Sequence, residues 1–144
     1  MISIGCDHGG YELKEKVVAF LKEKNIEVKD CGCYSKDSVD YPIFGRAAAE
    51  AVASGECEKG IVICTTGIGI SMTANKVAGI RCALCSDTLS AKMTRLHNDA
   101  NVLAMGAGIV GNNLALDIVE TFLTTEFSGD ARHQRRIDLI EGEH

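Results

Sequence analysis

Five short apolar runs, each followed by a stretch with helical spacing, constrain the fold of this chain more than any other feature. The runs are MISIG (1–5), IEVKDC (26–31), GIVIC (60–64), RCALCS (81–86) and NVLAMG (101–106). They are rich in Ile, Val, Leu and Cys and show no clean hydrophilic face, the pattern of strands buried on both sides. Between and after them lie YELKEKVVAFLKEK (11–24), PIFGRAAAEAVASG (42–55), GISMTANKVAG (69–79), TLSAKMTRLHND (88–99) and GNNLALDIVETFLTTEF (111–127). Each has apolar residues at helical spacing or an alanine-rich face, and Pro42 is placed to open its helix. Such alternation predicts a five-stranded parallel sheet with crossover helices on both faces, a doubly wound, Rossmann-like three-layer αβα sandwich. At 144 residues the chain has room for one sizeable core, so residues 1–144 read as a single domain. A basic, amphipathic arm or helix follows from about residue 129, GDARHQRRIDLIEGEH, and is expected to reach toward a neighbouring subunit.

Composition removes several classes of function. No apolar run approaches the roughly 20 residues of a membrane span. The N-terminal MISIGCDHGG lacks the basic-then-apolar layout of a signal peptide, so a cytoplasmic protein with reduced thiols is expected. A net charge of −5 and a pI near 5.3 argue against nucleic acid and toward small-molecule or protein partners. The seven cysteines are odd in number and lack the spacing of a disulfide scaffold. Cys82 and Cys85 are three apart on a strand, hence on opposite faces, and no second ligand pair lies near them; they read as small buried residues, with no metal.

In doubly wound sheets, ligands bind beyond the carboxyl ends of the strands where strand order reverses. CDHGG follows the first strand, CTTGIG the third and SDT the fourth. Cys64 falls at a strand end, before the Gly67/Gly69 turn and a helix beginning near Ile68, an environment that favours a thiolate. The same spacing also suits a last buried core residue, and spacing alone does not choose. Thr65 and Thr66 weigh toward a site, because hydroxyls beside a glycine turn add polar groups where a core wants none. The amides of residues 66–70 read as a cradle for an oxyanion or a phosphate. A C-x5-R thiol phosphatase is excluded because Ile70 stands where the arginine is needed. A dinucleotide fingerprint is weak, because Gly67 and Gly69 are followed by Met72 and come after the third strand. His97, Asn98 and Asp99, between a helix and the fifth strand, suit catalysis or a helix cap; Asp7 suits a substrate hydroxyl or a turn; Arg132 and Arg136, four apart, suit a phosphate or a solvated face.

Taken together, GCDHGGYELK, VDYP, CTTGIGISMTANK, GIRCALCSD, RLHNDANVLAMGAGIVG and RHQRRID resemble one family. It is the sugar-phosphate isomerase family of type B ribose-5-phosphate isomerases and the related galactose-6-phosphate and allose-6-phosphate isomerases, and the resemblance runs from residue 2 to about residue 140. It implies aldose–ketose isomerisation without metal or cofactor, in a site shared between the subunits of a homodimer or a higher oligomer. Interconversion of ribose 5-phosphate and ribulose 5-phosphate is the leading expectation, a six-carbon sugar phosphate the alternative, and a non-catalytic sugar-phosphate-binding subunit a third. By resemblance, Cys64 is the base that moves a proton between C2 and C1, Thr66 assists at the oxygens, and His97 opens the furanose ring. Asp7, His8, Tyr41, Thr65, Gly67, Ile68, Gly69, Asn98, Arg132 and Arg136 match substrate-binding positions.

Two positions depart from the family pattern. The family usually reads C-G-T-G or C-G-S-G where this chain has Thr65, so the backbone there must avoid a glycine-only conformation. Many members carry arginine in G-S-R-V-V-G, a phosphate ligand, where this chain has Gly108 in GAGIVG. One phosphate contact is thereby missing, unless glycine is needed for a positive φ or for packing against the partner.

Overall fold

The computed structural model describes residues 1–142. Five parallel strands, β1 (Ile2–Cys6), β2 (Val28–Asp30), β3 (Lys59–Cys64), β4 (Cys82–Leu84) and β5 (Val102–Gly106), form one sheet in the order β2-β1-β3-β5-β4. Helices α1 (Tyr11–Glu23), α2 (Tyr41–Ala53), α3 (Ile68–Asn75), α4 (Thr88–Asn98) and α5 (Asn112–Thr124) cover it, with α6 (Ala131–Ile140) lying outside them on α4, and this is the expected three-layer sandwich.

Alternating side chains of the central strands supply two cores. On one face Ile4, Cys6, Ile61, Ile63, Leu103 and Met105 pack against α1, α4 and α5 through Leu13, Val17, Leu21, Ala91, Ile118 and Phe122. On the other, Val62, Cys64, Val102 and Ala104 meet Ala48, Ala49 and Val52 of α2 and Ile70 and Ala74 of α3. The alanine-rich stretch of α2 is therefore the side of a helix that lies close on the sheet. Cys85 belongs to the first core, while Cys82 packs against the second, as their spacing requires.

Both edge strands are three residues long and only partly buried, which limits unwanted pairing. The outer edge of β4 is occupied by a side chain: Asn75 accepts from the Cys82 N–H at 2.8 Å and donates to its carbonyl at 3.0 Å. Helix α3 stops at Asn75, short of the expected Gly79, because residues 76–80 form successive turns that end through Gly79 at φ +85°.

Lys14 of α1 is fully buried beneath the β1–β2 end of the sheet. Its ammonium donates to both Asp30 carboxylate oxygens at 2.9 Å and to the Cys33 carbonyl at 2.5 Å. Burial alone would lower its pKa; the Asp30 hydrogen bonds and charge outweigh that and shift it upward.

The C-terminal basic segment forms α6, packed on α4 of its own chain through buried His133 and Ile137. The last two residues of that segment lie outside the described residues.

Candidate active site

Strand β1 sends its connection through α1 to β2 on one side, and β3 lies on its other side, so strand order reverses between β1 and β3. Beyond their carboxyl ends is a crevice of about 470 Å³, lined by Asp7, Tyr41, Cys64, Thr65, Thr66, Ile68, Gly69 and Met72. Seven of these eight were expected from sequence. Met72 was not, although its position one helical turn after Ile68 is a signal that places it on the same face.

Cys64 ends β3 in the layer facing α2 and α3, and is 5% exposed. Its sulfur accepts the Gly67 N–H at 3.1 Å. That contact requires Gly67 at φ +78°, and a Cβ there would stand 2.6 Å from Leu84 Cδ1 and 2.7 Å from the Met105 carbonyl carbon. Thr66 Oγ1 accepts the Ile68 N–H at 3.2 Å and so starts α3. The expected five-amide cradle is therefore narrower: the amides of Gly67 and Ile68 are used within the loop. Among the described residues, those of Thr66, Gly69 and Ile70 have no hydrogen-bond partner. The Tyr41 ring, at the start of α2, closes on Gly69 so tightly that a Cβ there would lie 2.5 Å from Cζ.

Across the crevice, Asp7 leaves β1 and accepts the Gly10 N–H at 3.1 Å, capping a single 3-10 turn (His8–Gly10). It is both a turn former and a crevice residue. His8 is exposed and its Nδ1 accepts the Val39 N–H at 3.1 Å, so the neutral ring carries its proton on Nε2 as a donor to solvent. Sequence reasoning gave no role to Val39, which orients this ring.

His97 and Asn98 lie elsewhere. Helix α4 begins at the carboxyl end of β4 and runs back to the start of β5, so its last residues stand at the amino-terminal end of the sheet. Cys64 pairs with Gly106 at the opposite end of β5, and five residues of strand separate the two ends by about 17 Å. One chain therefore does not bring His97 to Cys64. There His97 is exposed, and its ring lies 4.4 Å from that of His133. His133 shares a 2.8 Å hydrogen bond with Ser128 Oγ, and burial, with the neighbouring His97, lowers its pKa. Arg132 and Arg136 extend from α6 into solvent. Asn98 also borders a larger groove, about 660 Å³ between the end of α3, β4 and the end of α4. That groove touches none of the loop residues around Cys64, and the chemistry-bearing side chains favour the smaller crevice.

Among the described residues, no group of three or more His, Cys, Asp or Glu side chains is placed to hold a metal ion. Burial pushes the Cys82 thiol up to about 12 and the Cys85 thiol up to about 11. Among the described residues, no helix is long and apolar enough to cross a membrane.

A sequence model of the family described as Ribose/Galactose Isomerase matches residues 2–140. Ribose-5-phosphate isomerase B of Escherichia coli is 49% identical over 139 residues, covering 96% of this chain and 93% of that one. The galactose-6-phosphate isomerase subunit LacB of Clostridium acetobutylicum is 44% identical over 141 residues, covering 98% and 82%. A solved structure of ribose-5-phosphate isomerase B from Clostridium thermocellum is 56% identical and superimposes with a TM-score of 0.96 over 98% of this chain and 95% of that one.

Proposed function

We propose, for a chain that belongs to the ribose/galactose isomerase family and so acts as a sugar-phosphate isomerase, that its reaction interconverts ribose 5-phosphate and ribulose 5-phosphate through an enediolate. The observation that carries this reading is the Cys64 sulfur at the wall of a switch-point crevice, among Asp7, Thr65, Thr66 and Tyr41. In the forward direction the sulfur takes the C2 proton of the open-chain aldose and returns it to C1. A compensating proton moves from the C2 oxygen to the C1 oxygen, with Thr66 assisting, and the oxygen charge that develops is met by the free amides of the loop.

His97, Asn98, Arg132 and Arg136 serve this crevice from a second copy of the chain, because a single copy holds them at the far end of its sheet. His97 opens the ring, and the two guanidiniums with His8 hold the phosphate. Two features support the dimer. Exposed apolar residues Ile68, Met72, Leu84, Leu89, Met93 and Ile109 surround the edge strand β4 and the crevice rim. Ile68, Leu84 and Ile109 also line a second cleft of about 240 Å³ at that rim. The cytoplasm is the compartment in which the free cysteines remain thiols.

The test is steady-state turnover of ribose 5-phosphate, allose 6-phosphate and galactose 6-phosphate by the purified protein. The largest kcat/KM is expected on ribose 5-phosphate; a larger value on galactose 6-phosphate would favour the second reading, which the LacB relative supports.

A further inference from the structure

We infer that Thr65 is a specificity-determining residue, which narrows the crevice beside Cys64 and thereby limits the length of sugar phosphate it admits. The assignment rests on the reading of the crevice as a sugar-phosphate isomerase site.

Three loops meet at Thr65. Its side chain lies between Gly9, after β1, and Gly108, after β5. A Cβ on Gly9 would fall on Thr65 Oγ1, and a Cβ on Gly108 would stand 3.2 Å from Thr65 Cγ2 and 3.1 Å from its carbonyl oxygen. Neither glycine has a positive φ, so what these two positions supply is room for Thr65 rather than an unusual backbone. Of the two alternatives for Gly108, a positive φ and packing against the partner, the first is thereby excluded. The backbone is held as well: the Ala107 N–H donates to the Cys64 carbonyl and the Gly108 N–H to the Thr65 carbonyl, each at 2.8 Å. Thr65 itself needs no glycine-only conformation.

Thr65 is exposed at the crevice, and the backbone at Gly9 and Gly108 on its two flanks limits how far its side chain can turn aside when a longer substrate enters. Thr65 adjoins Cys64, so a sugar with C1 and C2 at the sulfur must pass it, and each added carbon meets that side chain. Gly108 acts through Thr65 and is a positioning residue.

The test compares wild type, Thr65→Gly, Thr65→Ser, Gly108→Ala and the Thr65→Gly/Gly108→Ala double variant. Their kcat and KM are measured separately on ribose 5-phosphate and on allose 6-phosphate, which continues ribose stereochemistry by one carbon. Thr65→Gly is expected to shift the kcat/KM ratio toward allose 6-phosphate by about tenfold, chiefly through KM, and Thr65→Ser by less. Gly108→Ala is expected to move the ratio the other way, by crowding Cγ2, and to lose that effect in the double variant. A ratio unmoved by Thr65→Gly, or additive effects of the two sites, would overturn the assignment while leaving the isomerase reading intact. Absence of turnover on both sugars by the wild type would overturn the two together.

Discussion

At the carboxyl ends of β1 and β3, a buried sulfur, an amide pointed at it, a left-handed glycine and three interlocked loops are already in place. At the other end of the same sheet His97, Asn98, Arg132 and Arg136 stand in solvent on the ends and faces of two helices. The first region is set by the sheet itself: β3 and β5 pair through Cys64 and Gly106, and the hydrogen bonds continue past the strands into the loops. No comparable framework aims the second region at a ligand. The difference teaches that one region is built to close tolerance by the sheet while the other is left open to solvent; on the function proposed above, the first would be the proton-transfer half of a site and the second the half that association completes.

The largest expected effect breaks the first region alone. Cys64→Ala removes the proposed base and is expected to lower turnover by about 10²–10⁴-fold or more while sugar-phosphate binding persists. Turnover and binding measured on one preparation check this; near-normal turnover would remove Cys64 from the mechanism. The second region is probed by His97→Asn, expected to slow ribose 5-phosphate by about 10²-fold. It should slow a four-carbon aldose phosphate, which cannot close a furanose ring, much less. Equal losses on both would reassign His97 from ring opening to positioning.

Stability sharpens the same contrast. Asp30→Ala leaves the fully buried Lys14 ammonium with only the Cys33 carbonyl and the more distant Glu15 carboxylate at 3.7 Å, and is expected to cost about 3 kcal/mol in denaturant unfolding. The effect of His133 is smaller and depends on pH. Its pKa is lowered from 6.5, by burial first and then by His97, with Arg132 and Arg136 adding and Asp130 opposing. The unfolded chain takes up the proton first as pH falls, so this contribution is complete above about 6.5 and is lost below it. His133→Gln is expected to flatten that part of the stability profile; an unchanged profile would show that the histidine pair at the end of α4 exerts no such influence.

The fold was legible because β1, β3 and β5 are fully buried runs whose composition leaves little alternative to a covered parallel sheet. The crevice residues were legible for the same reason, since strand ends and glycine turns are marked in the sequence. Strand order was not: nothing in NVLAMG says that β5 inserts between β3 and β4. Without that order, the distance between His97 and Cys64 within one chain follows only from topology. Contacts such as Thr65 with Gly108, or His8 with Val39, join segments far apart in sequence and leave no local signal in either.

The most direct test of the two-region account is complementation. Cys64→Ala and His97→Asn proteins, each nearly inactive, are mixed under conditions that exchange subunits, and the hybrid is isolated and assayed. A hybrid dimer holds one site with both substitutions and one with neither, so random exchange should restore roughly a quarter of wild-type activity in the mixture. A verified hybrid with no more activity than its parents would contradict the account and require His97 and Cys64 to act within a single chain.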